Sequence, residues 1–267
     1  MEISKERKKI AIVTGASAGL GKEFALQLEK KYFLDEIWLL ARRAEPMKQL
    51  AEKLQKAKAV IIPCDLNSDS DIRALIDKIK RENPAVSFLV NNAGFGKLGP
   101  FTELTEQEQM QMISLNVTAL TRLTHSILPF CASGSCIIQV ASSIAFCPAP
   151  FFAVYAATKS FVLSFSRALQ FELKPNGIHV IAVCPGPVNT EFFDVANNSG
   201  FMKNDRVAPK TFNHALMADP QKVVAKALSD AEKKRSISIY SFSINFFARI
   251  VAFIPKSIAM KAISNRY

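Results

Sequence analysis

Apolar residues fall into two alternating textures along the chain. Short, nearly unbroken runs appear at KIAIV (9–13), EIWLLA (36–41), AVIIP (59–63), VSFLV (86–90), CIIQV (136–140), HVIAV (179–183) and SISIY (236–240). A strand apolar at successive positions is covered on both faces, as strands of a parallel sheet are. Between these runs, segments 20–31, 45–56, 69–82, 104–129, 152–174 and 220–232 place their apolar residues at helical spacing. The alternation predicts an α/β chain: a Rossmann-type doubly wound sheet of about seven parallel strands, with right-handed crossovers and helices on both faces. No repeat, low-complexity linker or break in composition interrupts it, so residues 1–267 read as one domain. The one long irregular stretch, about 185–218, is rich in Asn, Pro and Gly and is expected to form a flap over a site.

Composition narrows the function classes. With 49% hydrophobic and 21% charged residues, the chain has the make-up of an ordinary globular protein with a sizeable core. Lys and Arg number 34 against 23 Asp and Glu, a formal charge of +11, which favours anionic ligands. Local clusters occur in the first ten residues and at Lys233, Lys234 and Arg235, with no aromatic RNA-binding motif and no zinc-ligand spacing. No nucleic-acid partner is expected. The five cysteines (Cys64, Cys131, Cys136, Cys147, Cys184) are odd in number and lie mostly in apolar stretches. They read as reduced thiols of a cytoplasmic protein. His125, His179 and His214 are scattered, and no metal site is expected.

Targeting signals are weak. KERKK precedes only a four-residue apolar run before Thr14-Gly15, which fits a strand better than a signal peptide. The nearest approach to a spanning helix, ISIYSFSINFFARIVAFIP, is interrupted by Arg249 and closed by Pro255. The apolar segment 241–267, with Arg249, Lys256, Lys261 and Arg266 interspersed, could be a lid, a subunit contact or an amphipathic helix lying peripherally on a membrane.

Candidate chemistry begins at TGASAGLG (14–21), between the first strand and first helix. Gly15, Gly19 and Gly21 permit a tight turn, close approach of a pyrophosphate and close helix–strand packing. The following helix aims its free N–H groups and positive dipole end at such phosphates. Where dinucleotide folds place an acid for the ribose 2′-hydroxyl, the second strand ends in Ala41, followed by Arg42 and Arg43. Guanidinium groups suit a 2′-phosphate, so NADP(H) is expected in preference to NAD(H). In YAATKSF (155–161), Tyr155 and Lys159 stand one helical turn apart and share a face. Asn116, in SLNVTAL, interrupts a helical pattern where Asn is a poor choice for stability.

Taken in order, each motif following the correct strand, these residues resemble the classical short-chain dehydrogenases/reductases over roughly residues 8–190. The carrying motifs are TGASAGLG, CDL (64–66), NNAG (91–94), the Asn116 segment, VASSIAF (140–146), YAATK and CPGPVNT (184–190). The resemblance implies a cofactor site of Gly15, Ser17, Ala18, Gly19, Leu20, Gly21, Arg42, Arg43, Asp65, Leu66, Asn92, Ala93, Gly94, Asn116, Tyr155, Lys159, Pro185, Gly186, Val188 and Thr190. It implies Asp65 on the adenine, Asn92, Ala93 and Gly94 approaching by backbone, and Thr190 on the nicotinamide carboxamide.

It also implies a catalytic set of Asn116, Ser142, Tyr155 and Lys159. Tyr155 would be the general acid in carbonyl reduction and the base in alcohol oxidation, with Lys159 favouring the phenolate. Ser142, thirteen residues before Tyr155, would orient the substrate oxygen in preference to Ser143, and Asn116 would hold a water at a local helix distortion. Val162, seven beyond Tyr155, does not fit the enoyl-reductase branch. The residues expected around the substrate (Phe146, Cys147, Pro148, Pro150, Phe151, Phe152, Phe192, Phe193) are apolar, pointing to a hydrophobic ketone, acyl or steroid-like compound. A homodimer or homotetramer through the helices bearing Asn116 and Tyr155 is implied as well. A non-catalytic NADP(H)-binding protein, or a membrane or acyl-carrier interaction module on the same fold, is the alternative.

Overall fold

The computed structural model describes residues 7–197, 217–242 and 244–246. Strands β1 (Lys9–Thr14), β2 (Glu36–Ala41), β3 (Lys58–Pro63), β4 (Ala85–Asn91), β5 (Cys131–Val140), β6 (His179–Val183) and β7 (Ile237–Ser238) form one parallel sheet in the order β3-β2-β1-β4-β5-β6-β7. The Rossmann-type expectation holds. Successive residues within each apolar run enter different cores. Ala11, Val13, Ile37 and Leu39 join one cluster, Ile10, Ile12, Trp38 and Leu40 the other. Helix α1 (Gly19–Lys31) and helix α8 (Pro220–Glu232) cover the first face. Helices α3 (Asp69–Glu82) and α5 (Leu120–Ile127), with the far end of α6 (Ala153–Leu173), cover the second.

The departures from the sequence pattern have local causes. The segment read as one helix to residue 56 stops as α2 (Ala44–Ala51), because the Glu29 carboxylate draws in the backbone N–H groups of Lys56 (2.6 Å) and Ala57 (3.1 Å). The helical stretch 104–129 is three pieces. Helix α4 (Glu106–Ile113), opened by a Thr105–Glu108 capping box, leads into a π-helical turn (Ser114–Ala119) and then α5. Strand β5 begins five residues early, with the Ser135 hydroxyl accepting from the Ala132 N–H at 2.9 Å and donating to the Val86 carbonyl at 2.7 Å. Strand β7 is shorter than its apolar run.

After β6 the chain passes through a loop into the short α7 (Phe192–Asn197). The loop is tied down by a bridge between Val188 and Ala218. Most of the expected flap (198–216) and most of the apolar C-terminal segment (243 and 247–267) lie outside the described residues.

Candidate active site

The order of the strands reverses between β1 and β4, and in open parallel sheets ligands bind outside the carboxyl ends of strands at such a point. The glycine turn lies there. Gly15 (φ +65°) and Gly19 (φ +53°) take the left-handed conformation that glycine adopts without strain. A Cβ on Gly21 would come within 2.3 Å of the Gly15 carbonyl oxygen, so helix and strand meet backbone to backbone.

Hydrogen bonds lock this turn to β4. The Thr14 hydroxyl accepts the N–H groups of Asn92 and Ala93, each at 2.9 Å, and donates to the Val90 carbonyl at 3.2 Å. The Asn92 amide donates to the carbonyls of Thr14 (3.0 Å) and Gly15 (3.3 Å). Asn92 is thus a brace by its side chain, and the Ala93 N–H is consumed within the protein. Thr14 opens the glycine motif in the sequence but is absent from the cofactor site expected there, although a hydroxyl closing an otherwise apolar strand is a visible signal of such a brace.

The turn suits an anionic dinucleotide. The N-cap of α1 is Ala18, which offers no side-chain cap, and no acidic residue occupies the helix's first turn. The positive end of the helix is left for a ligand's phosphates. Beyond it, Arg42 is exposed with no side-chain hydrogen bond or ion pair among the described residues. Arg43 reaches the Glu191 carboxylate at 2.7 Å and lies 3.5 Å from the Ser17 hydroxyl. Asp65 follows β3 as expected, with one carboxylate oxygen accepting the Asn67 N–H at 2.9 Å; Leu66 is buried beside it.

On the other side of the crevice stand the four residues singled out for catalysis. Tyr155 and Lys159 lie on α6, with the ammonium 5.8 Å from the phenol ring centroid. The Lys159 Nζ donates to the Val140 carbonyl at 2.8 Å. Asn116 sits in the π-helical turn, the helix distortion that the sequence led us to expect. Its amide nitrogen donates to the Phe95 carbonyl (2.9 Å) and the Thr158 hydroxyl (3.1 Å), and its oxygen accepts the Phe95 N–H (3.1 Å). A Cβ on Gly94 would meet Asn116 Oδ1 at 2.8 Å and Lys159 Nζ at 3.3 Å, which places all three at one point. Ser142 caps a short 3-10 turn after β5, its hydroxyl accepting the Ile144 N–H at 3.3 Å. Gly96 and Thr158 belong to the same neighbourhood and were not picked out from sequence. A Cβ on Gly96 would strike the Tyr155 ring at 2.9 Å.

Burial governs the charges here. Tyr155 is 7% exposed and Lys159 5%. Burial raises the phenol well above its ordinary value, opposed in part by the Ser142 hydroxyl. Burial also lowers the lysine from 10.5 to about 8, with the neighbouring Cys184 opposing the shift. Without a ligand, the dominant influence on the phenol is desolvation. The phenol is consequently protonated at neutral pH.

The ring is boxed by Phe152 (centroids 5.2 Å apart, edge-on) and by Phe192 of α7 (5.4 Å, tilted). Leu98, Met112 and Ala149 complete the apolar surround. The loop from β6 closes the crevice from above. Pro185 is buried, a Cβ on Gly186 would run into Ile244 Cδ1 at 2.1 Å, and the Thr190 methyl faces Gly19. The Thr190 hydroxyl accepts the Phe192 N–H at 3.4 Å.

A family described as short chain dehydrogenase matches residues 9–199. This chain belongs to the short-chain dehydrogenase family of oxidoreductases. A very-long-chain 3-oxoacyl-CoA reductase of Pyrenophora tritici-repentis is 32% identical over 219 residues, covering 78% of this chain and 62% of its own length. The chain therefore spans less than two thirds of that relative. Inactive hydroxysteroid dehydrogenase-like protein 1 of Homo sapiens is 28% identical over 256 residues, covering 92% of this chain and 72% of its own. Among solved structures, a short-chain dehydrogenase from Sphingobium yanoikuyae in complex with NADPH superposes with a TM-score of 0.77 at 26% identity, covering 92% of this chain and 93% of that one.

Proposed function

We propose that this short-chain dehydrogenase is an NADP(H)-dependent reductase of a carbonyl group on a hydrophobic substrate, able to oxidise the matching secondary alcohol in reverse. The observation that carries the reading is the meeting of a protonated, buried phenol with Ser142, Lys159 and Asn116 beside an uncapped helix N-terminus. Gly15, Ser17, Ala18, Gly19, Leu20 and Gly21 would hold the dinucleotide's pyrophosphate, Arg42 and Arg43 its 2′-phosphate, and Asp65 with Leu66 the adenine side. Asn92, Ala93 and Gly94 would form the floor, and Pro185, Gly186, Val188 and Thr190 would back the nicotinamide. Bound there, the cofactor supplies the hydride, chemistry that no side chain of this chain can perform.

The protein supplies the proton and its placement. Tyr155 donates its phenolic proton to the substrate oxygen, and the same side chain takes the proton back in the oxidising direction. Ser142 orients that oxygen. Lys159, with a pKa of about 8, exchanges protons near neutral pH, and Asn116 holds the Phe95 backbone and Thr158 that surround it. The apolar wall of Leu98, Phe152 and Phe192 supports an acyl or similarly greasy substrate. The names of relatives such as the Pyrenophora protein make long-chain 3-oxoacyl thioesters the first compounds to try. Exposed Met110, Ile113 and Phe161 on α4 and α6 support a homo-oligomer through those helices. No helix among the described residues is long and apolar enough to cross a membrane.

A second reading, a dinucleotide-binding protein without turnover, draws support from the human relative named inactive and from the cover over Tyr155. NADPH oxidation against 3-oxoacyl thioesters of increasing chain length, with simple and steroid ketones alongside, separates the two. Turnover that strengthens with acyl length supports the reductase. Tight NADPH binding with no oxidation of any compound supports the silent binder.

A further inference from the structure

The two arginines after β2 have different surroundings. Arg42 stands free among the described residues, whereas Arg43 is held by Glu191, a residue 148 positions away that follows Thr190 in the loop after β6. The same guanidinium lies 3.5 Å from the Ser17 hydroxyl of the glycine turn. We propose that Glu191 is a built-in rival of the cofactor's 2′-phosphate for Arg43, and thereby a determinant of how well NADPH is held relative to NADH. This inference rests on the NADP(H) reading above.

Three features carry it. First, the ion pair is exchangeable: Arg43 is 55% exposed and Glu191 59%, and an exposed carboxylate–guanidinium pair is weak. A phosphate dianion brings more charge and three acceptor oxygens to the same donors, so it displaces a single carboxylate. Second, the pair is anchored where the cofactor must pass. The methyl of Thr190, directly before Glu191, would lie 3.0 Å from a Cβ on Gly19. Third, the residue directly after Glu191 is Phe192, whose ring packs on Tyr155. Freeing the carboxylate from Arg43 thus loosens a segment that touches both the phosphate turn and the cover of the phenol. NADH, lacking the 2′-phosphate, leaves the pair in place.

The test is a titration of NADPH and of NADH, read by nicotinamide fluorescence, on wild type, Glu191→Gln and Arg43→Ala. Glu191→Gln is expected to tighten NADPH about two- to fivefold, to change NADH less, and to lose its advantage in ~0.5 M salt. Equal tightening of both dinucleotides would reduce Glu191 to a general negative charge near phosphates, and no tightening of NADPH would end the rivalry. Arg43→Ala keeps the two failures apart. If it erases the preference for NADPH while Glu191→Gln does nothing, only the rivalry falls. If it leaves the NADPH-to-NADH ratio untouched, Arg43 reads no 2′-phosphate and the rivalry falls along with that part of the NADP(H) reading.

Discussion

The floor of the crevice and its cover are built on different principles. The floor, where β1 and β4 meet, is backbone packed on backbone. The Thr14 hydroxyl makes three hydrogen bonds, the Asn92 amide two more, and Gly21 has no space for a methyl group. The cover, from Thr190 to Ala196, is held by a half-exposed ion pair, a ring-on-ring contact and the hydrogen bond from the Leu98 N–H to the Ala196 carbonyl at 3.2 Å. A dinucleotide-binding surface benefits from being preformed, since nothing then needs ordering when the ligand arrives. A cover that must admit a substrate has to cost little to move. Tyr155 lies between the two regions, on the long helix α6 and beneath the Phe192 ring.

Four substitutions would break or sharpen this contrast. The largest effect is expected at the junction. Tyr155→Phe should cut carbonyl reduction about a hundred- to ten-thousandfold, the usual worth of a positioned general acid, while NADPH binding is retained in a fluorescence titration. Turnover at the wild-type rate would remove the phenol from the chemistry.

In the floor, Gly21→Ala pushes a methyl group at the Gly15 carbonyl, and neither backbone segment can yield. A loss of about 2–3 kcal/mol is expected, a fall in melting temperature of about 4–10 °C, with weaker NADPH binding. A variant as stable as wild type would show the floor to be less rigid than its packing implies.

Lys159 carries the electrostatic cost of the junction. Its ammonium is lowered from 10.5 to about 8 by burial, so between those values the unfolded chain binds more protons than the folded one, and stability rises with pH across that window. Below about 8 the penalty is felt in full. Lys159→Met is therefore expected to stabilise the fold at pH 7 by about 1–3 kcal/mol while reduction is lost. The gain should shrink as the melting is repeated toward pH 10. A gain independent of pH would assign the effect to packing.

The smallest change is expected in the cover. Phe192→Ala should cost about 1 kcal/mol or less, since the ring is only partly buried. It should also bring the Tyr155 titration, followed by ultraviolet absorbance, down from its raised position toward that of a free phenol, as water reaches the ring. An unmoved titration would mean that the cover is not what shields the phenol.

The fold was legible in the chain because buried parallel strands need unbroken apolar runs, and all seven runs became strands. Where the sequence misjudged an end, a side-chain hydrogen bond was responsible: Glu29 stops α2 from another helix, and Ser135, within β5 itself, ties the strand's small polar start to the Val86 carbonyl of β4. The candidate site was legible where function imposes an expensive choice, as with Asn116 inside a helix or glycines with positive φ. Its couplings were hidden. Nothing in the local sequence connects Arg43 with Glu191, or shows that the Asn92 side chain faces the Thr14 and Gly15 carbonyls rather than a ligand. Such links depend on which loop ends face each other, which only the assembled sheet decides.

The central claim is that the phenol on α6 and the glycine turn on β1 serve one reactive centre. A crystal structure with NADPH bound tests it most directly. The dinucleotide is expected with its pyrophosphate at the α1 N-terminus and its nicotinamide ring between Gly186 and the Tyr155 and Ser142 hydroxyls. A nicotinamide lying away from Tyr155, or a dinucleotide bound elsewhere on the chain, would contradict it.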